Sequence, residues 1–172
     1  RPATAPSPFV LSLSNELQED KKSIYADTRL FHGPALQGLE QVLGLSAEGI
    51  SALARNTATP ASWMQTPLRH NWLSAPMLLD SSFQLMILWC FARQQCVSLP
   101  SYIRHYRQYV DTVPAQELTQ INCLIRNSSA SMVQADIDFI TPDSSQLLAR
   151  IEGYECTMTD NLGGAFACNT LA

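Results

Sequence analysis

Charge is the first thing this sequence is short of. Asp, Glu, Lys and Arg make up 15% of its 172 residues, against 46% hydrophobic residues. That excludes a disordered tail and a long solvated helix or coiled coil. The charges sum to −4, so there is no basic field to hold nucleic acid. The one local basic group, Arg104, His105 and Arg107, reads as a solvated strand face. Long apolar runs are missing too. The longest, Phe83 to Ala92, is shorter than the roughly 18 residues of a membrane span and has the length of a buried helix. The opening RPATAPSPFV lacks the charged-then-apolar order of a signal peptide. Its prolines at positions 2, 6 and 8 read as a linker, in a chain cut from something longer. The five cysteines (Cys90, Cys96, Cys123, Cys156, Cys168) form no CxxC pair, and the three histidines lie far apart, so no metal site is expected. A reduced, cytoplasmic protein is the simplest reading.

What the sequence does have is alternation. Residues 9–13 and 23–27 alternate around the polar NELQEDKK, which predicts a hairpin. Further strands are predicted at 38–46, 50–56, 98–110, 118–127, 130–141 and 147–159. Residues 57–76, punctuated by Pro60, Pro67 and Pro76, read as irregular. One helix is predicted, over 78–95. Phe83, Met86, Ile87, Cys90 and Phe91 follow helical spacing, while Leu85, Leu88, Trp89 and Ala92 fill the other faces, so the helix is a buried one. No strand–helix–strand alternation occurs, which excludes a parallel nucleotide-binding sheet. The expected fold is α+β: a curved antiparallel sheet wrapped around one long buried helix, the hotdog architecture. Residues 30–160 form that domain. Residues 1–29 are expected to be a linker and the last strands of a preceding hotdog half, and 161–172 a tail or linker.

This apolar helix still carries Asp80 and Gln84. The two are four apart, so they share a face and can meet each other or a common ligand. With Ser81 and Ser82, Asp80 suits a first turn, as cap and as dipole-compensating acid. The other reading is a general acid that keeps its proton through burial.

The stretch FHGPALQGL, residues 31–39, carries a resemblance. It resembles the opening of the second half of polyketide synthase dehydratase domains, usually Tyr-Gly-Pro-x-Phe-Gln-Gly. His32 stands at the tyrosine and Leu36 at the phenylalanine, while Gly33, Pro34, Gln37 and Gly38 match. LLDSSFQ is similar to that family's Asp-x-x-x-Gln/His helix start, at Asp80 and Gln84. SLP at 98–100 is similar to the Leu-Pro that opens its next strand. The Phe-His-Gly-Pro variant and FQLMILW look most like the dehydratase-like domains of polyunsaturated fatty acid synthases.

The resemblance implies one half of a double hotdog acting on a 3-hydroxyacyl chain tethered to the phosphopantetheine of an acyl carrier protein, with no other cofactor. A histidine removes the α-proton and an aspartic acid protonates the departing β-hydroxyl. By matching, Asp80 is the acid and Gln84 its partner. Phe31, His32, Gly33, Pro34, Phe83 and Pro100 then line the substrate groove, with Gly33-Pro34 as a rigid turn at its mouth. The partners implied are the carrier protein and either the first hotdog half or a second copy, in a homodimer. One part is missing. The family's base lies in His-x-x-x-Gly-x-x-x-x-Pro, and His32, His70 and His105 are followed at the fourth position by Leu36, Ser74 and Tyr109. The base is thus expected from elsewhere. A non-catalytic, chain-holding hotdog and an acyl thioesterase are the alternatives.

Overall fold

The computed structural model describes residues 4–159 except 15 and 28. In chain order it contains β1 (Glu19–Asp20), the one-turn α1 (Lys21–Ile24), β2 (Leu39–Ser46), β3 (Gly49–Arg55), α2 (Pro76–Gln94), β4 (Ser98–Gln108), β5 (Leu118–Ser128), β6 (Met132–Ile140) and β7 (Leu147–Met158). The strands form one sheet in the order β1-β2-β3-β5-β6-β7-β4, with every pair antiparallel. Between β3 and β4 the chain passes over β5, β6 and β7 to the far edge of the sheet through α2, which packs against β2 to β6. This is the hotdog arrangement expected from the strand pattern. No helix among the described residues is long and apolar enough to cross a membrane.

The composition of α2 explains its place. Leu78, Leu85, Met86, Ile87, Leu88, Trp89 and Cys90 are all buried, and they point to more than one side of the helix. Each such side chain contributes about 1.5–3 kcal/mol when removed from water, so the sheet must curl around the helix to collect it. The sheet answers with Leu39, Val42, Ile50, Ile121, Ile137, Ile151 and Tyr154 on its inner face. The buried Trp89 indole N–H donates to the Ser46 carbonyl at 2.9 Å, pinning the helix to the end of β2.

Two local expectations fail. The hairpin over 9–13 and 23–27 does not form. Lys21–Ile24 coil into α1, capped by the Asp20 carboxylate, which accepts from the Ser23 N–H at 2.9 Å. Residues 7–13 instead cross the outer face of the sheet as an extended strap. Their alternation reflects contact with that face: Leu13 and Leu11 lie against Gly44 and Gly49. Helix α2 also begins two residues earlier than its apolar pattern, at Pro76, whose ring fixes a helical φ. Asp80 therefore lies in the second turn, and the N-cap is Ala75, with no side-chain cap. The capping reading of Asp80 is wrong for that reason.

Under the strap the outer face is polar. Ser51, Asn122, Asp138, Arg150 and Arg107 stand side by side across five strands. Arg150 grips Asp138 with two hydrogen bonds, 2.6 and 2.8 Å, and Asp138 is fully buried. Phe9 closes the pair off. Its N–H donates to Asp138 at 2.7 Å and its ring lies 3.8 Å from the Arg150 guanidinium. Removing one member strands a buried charge. In urea titrations Asp138→Ala is expected to cost about 3–5 kcal/mol, and replacing both residues by apolar ones much less.

Candidate active site

The second turn of α2 meets the turn that precedes β2. Gly33 and Pro34 open a short 3₁₀ turn over Pro34–Leu36, closed by the Leu36 N–H to the Gly33 carbonyl at 2.9 Å. The Gln37 amide donates back to the His32 carbonyl at 3.1 Å. Gly38 then passes so close to the helix that a Cβ there would collide with Ser81 and lie 2.7 Å from Met77. The Gly-Pro and Gln-Gly of this stretch thus have one geometric purpose, to press residues 32–38 against α2.

That contact assembles a cluster. The Gln84 side-chain amide donates to Asp80 Oδ2 and to the Leu36 carbonyl, each at 2.7 Å. Its carbonyl accepts from the Tyr25 hydroxyl at 2.6 Å, and that hydroxyl accepts from the Leu39 N–H at 3.0 Å. Gln84 is fully buried, whereas the Asp80 side chain is 33% exposed. Asp80 therefore stands at the surface end of a buried polar relay. Burial pushes the Tyr25 hydroxyl well above its ordinary range, so it keeps its proton.

His32 joins from the turn. Its Nε2 is 3.7 Å from Asp80 Oδ2, its side chain is only 6% exposed, and Phe31 stacks on it at 4.4 Å. Burial lowers its pKa below 6.5, partly offset by Asp80, so the ring is held neutral. The single proton of a neutral ring belongs on Nε2, facing the carboxylate, because Nδ1 is buried with no partner. That leaves the basic lone pair on Nδ1 pointing into protein, a poor position for taking a substrate proton.

The other residues expected in the groove are less close. Phe83, one turn from Asp80, stacks on the buried Tyr154 at 5.5 Å. Pro100 is exposed on β4, opposite Cys156, whose thiol lies 3.8 Å from that of Cys90. Cys90 is ten residues from Asp80, about 15 Å along the helix, so Pro100 stands apart from the cluster. Tyr25 was missed by sequence reasoning. It sits in a segment that reads as strand, 59 residues from the glutamine it binds, and no local pattern joins them. A surface groove of about 510 Å³, lined by Met64, Leu68, Trp72, Leu73 and Pro76, opens beside the first residue of α2.

The family described as Polyketide synthase dehydratase N-terminal domain matches residues 13–165, and the chain belongs to that family. Among solved structures it is similar to the dehydratase domain from the CurJ module of the curacin polyketide synthase (TM-score 0.64, 19% identity, 95% of this chain and 57% of that one). It is also similar to the dehydratase domain of a mycocerosic acid synthase-like polyketide synthase (0.64, 20%, 90% and 55%). A third is the dehydratase domain of RzxB from Pseudomonas fluorescens (0.63, 16%, 88% and 54%). At these identities the likeness is one of fold. The chain spans little more than half the length of the solved domains it matches. No curated protein matches it.

The depressed His32 pKa makes stability depend on pH. The unfolded ring binds a proton below about 6.5, while the folded ring resists it. Stability is therefore full above 6.5 and falls as pH drops from there to the folded pKa. Urea titrations across that range should show this slope, and His32→Gln should flatten it. Nitrogen NMR of the ring should find the proton on Nε2.

Proposed function

We propose that this domain is the acid-bearing, second hotdog half of a synthase dehydratase, removing water from a 3-hydroxyacyl thioester carried by an acyl carrier protein. The observation that carries the reading is Asp80, set in the second turn of the central helix and held by Gln84 at 2.7 Å while a third of its side chain stays open. The matching family is described as an N-terminal domain. The second-half placement is supported instead by the Asp-x-x-x-Gln pair and the Gly-Pro turn packed against it, and by three histidines that all lack the base pattern.

The chemistry assigns each part. The thioester acidifies the α-carbon, and a histidine of the other half takes that proton. The electron pair forms the double bond, the β-carbon–oxygen bond breaks, and Asp80 gives its proton to the leaving oxygen, making water. Gln84 holds one oxygen of Asp80 so that the other can carry the proton. His32, with Nε2–H directed at the same place, orients the hydroxyl. The apolar groove beside Pro76, one helical turn before Asp80, offers an alkyl chain a place to lie. The Phe31–Pro34 variant and the 83–89 run support placement in an iterative, polyunsaturated-fatty-acid-type synthase, acting in the cytoplasm.

Strand β4 is the surface proposed for the missing half. Among the described residues it pairs only with β7 and nothing pairs with its outer edge, and Tyr102, Ile103 and Tyr106 are exposed on it. The length of the solved domains left unmatched by this chain is enough for a second hotdog.

Hydration of an enoyl-pantetheine thioester, followed by loss of enoyl absorbance, tests the reading. Activity is expected when the chain is joined to a preceding half of about 100–150 residues. Asp80→Asn should then lower kcat by about 10²–10⁴-fold. No turnover in the joined protein would leave a chain-holding, non-catalytic hotdog. In sedimentation runs with the separate first half, Ile103→Asp should weaken association.

A further inference from the structure

We infer that Tyr25 is a positioning residue that decides which oxygen of Asp80 carries the catalytic proton. The inference rests on the dehydratase reading for its kinetic consequence, though not for its geometry.

A glutamine amide can present either a donor or an acceptor to its neighbour by turning over about its last bond. Beside an ionised Asp80, the donor orientation is favoured by the carboxylate itself. Beside a protonated Asp80 it is not, because the acid could give its own proton to an inverted Gln84 carbonyl. The proton would then be held in a buried side-chain bond and withheld from substrate.

Tyr25 opposes the inversion together with the Leu36 carbonyl. Its hydroxyl accepts from the Leu39 N–H at 3.0 Å, so its one proton is left for Gln84 Oε1, 2.6 Å away. Gln84 is fully buried, so an inverted amide would place N–H groups against a hydroxyl already accepting one N–H. It would also set its carbonyl against that of Leu36, which now accepts at 2.7 Å. With Tyr25 present, the amide offers Asp80 a donor in both protonation states. Asp80 Oδ2 is then always an acceptor, and the proton is confined to Oδ1, which takes no hydrogen bond from the described residues. Residue 25 thereby acts on the reaction through residue 84, without touching substrate.

The test is a double-mutant cycle in the dehydratase containing both halves, with NMR on this chain alone. Tyr25→Phe should lower kcat about tenfold with KM unchanged, and should have no further effect on kcat in a Gln84→Ala background. Equal losses in both backgrounds would make Tyr25 merely structural and overturn the inference. In the isolated chain, the Gln84 side-chain NH₂ protons, assigned by their loss in Gln84→Ala, should be well separated and slow to exchange. In Tyr25→Phe they should broaden toward each other, and unchanged resonances would overturn the inference regardless of turnover. If Tyr25→Phe does not fold, 3-fluorotyrosine at position 25 keeps the contact while strengthening the donor, and must shift the same resonances. An amide that responds to residue 25, in a protein whose turnover ignores Asp80→Asn, would support the positioning while removing the dehydratase reading.

Discussion

The central helix has almost no side on which a polar atom can escape to water, and the rest of the structure follows from that. Its apolar residues force the sheet to curl. The same enclosure makes any polar side chain on its inner turns costly unless each donor and acceptor is matched. Gln84 meets that condition with three partners from three parts of the chain: Tyr25 from the segment after α1, the Leu36 carbonyl from the 3₁₀ turn, and Asp80 from the helix itself. The packing of Tyr25 and of residues 32–38 against α2 and the orientation of the acid are therefore one problem with one solution.

The helix, the six longer strands and their antiparallel character were legible in the sequence because each follows a period that burial imposes directly. The Asp80–Gln84 pair was legible for the same reason, since four residues make one helical turn. Other features depend on distance in space. Residues 9–13 alternate as a strand would, because every second side chain meets the sheet, yet their backbone partners are few: the Phe9 N–H goes to a carboxylate rather than to a neighbouring strand. Residues 21–24 coil because Asp20 caps them, a local signal outweighed in the pattern by the apolar Ile24 and Tyr25. The start of α2 was misplaced because Pro76 and Met77 belong to the helix by backbone geometry, ahead of the apolar run. That small shift moved Asp80 from a capping position to one with no structural duty at the helix end.

His32 illustrates how burial edits a residue type. A histidine in a turn suggests a base. Here the environment removes the charge, directs the one proton toward Asp80 and buries the free nitrogen. What remains is a hydrogen-bond donor, which is also what the tyrosine usual at this place in the resembled family would be.

The polar row under the N-terminal strap has a consequence for how the sheet finds its pairing. Sliding one strand by a single residue would turn its apolar side outward and be rejected by the core. A slide of two residues would keep every apolar side chain inside, and hydrophobic burial alone could hardly tell it from the native alignment. Ser51, Asn122, Asp138 and Arg150 can tell it, because they meet across β3, β5, β6 and β7 in only one alignment. In any other, Asp138 would lose its guanidinium while still buried. The row works as a vernier on the outside of the sheet, reading a displacement to which the inside is blind.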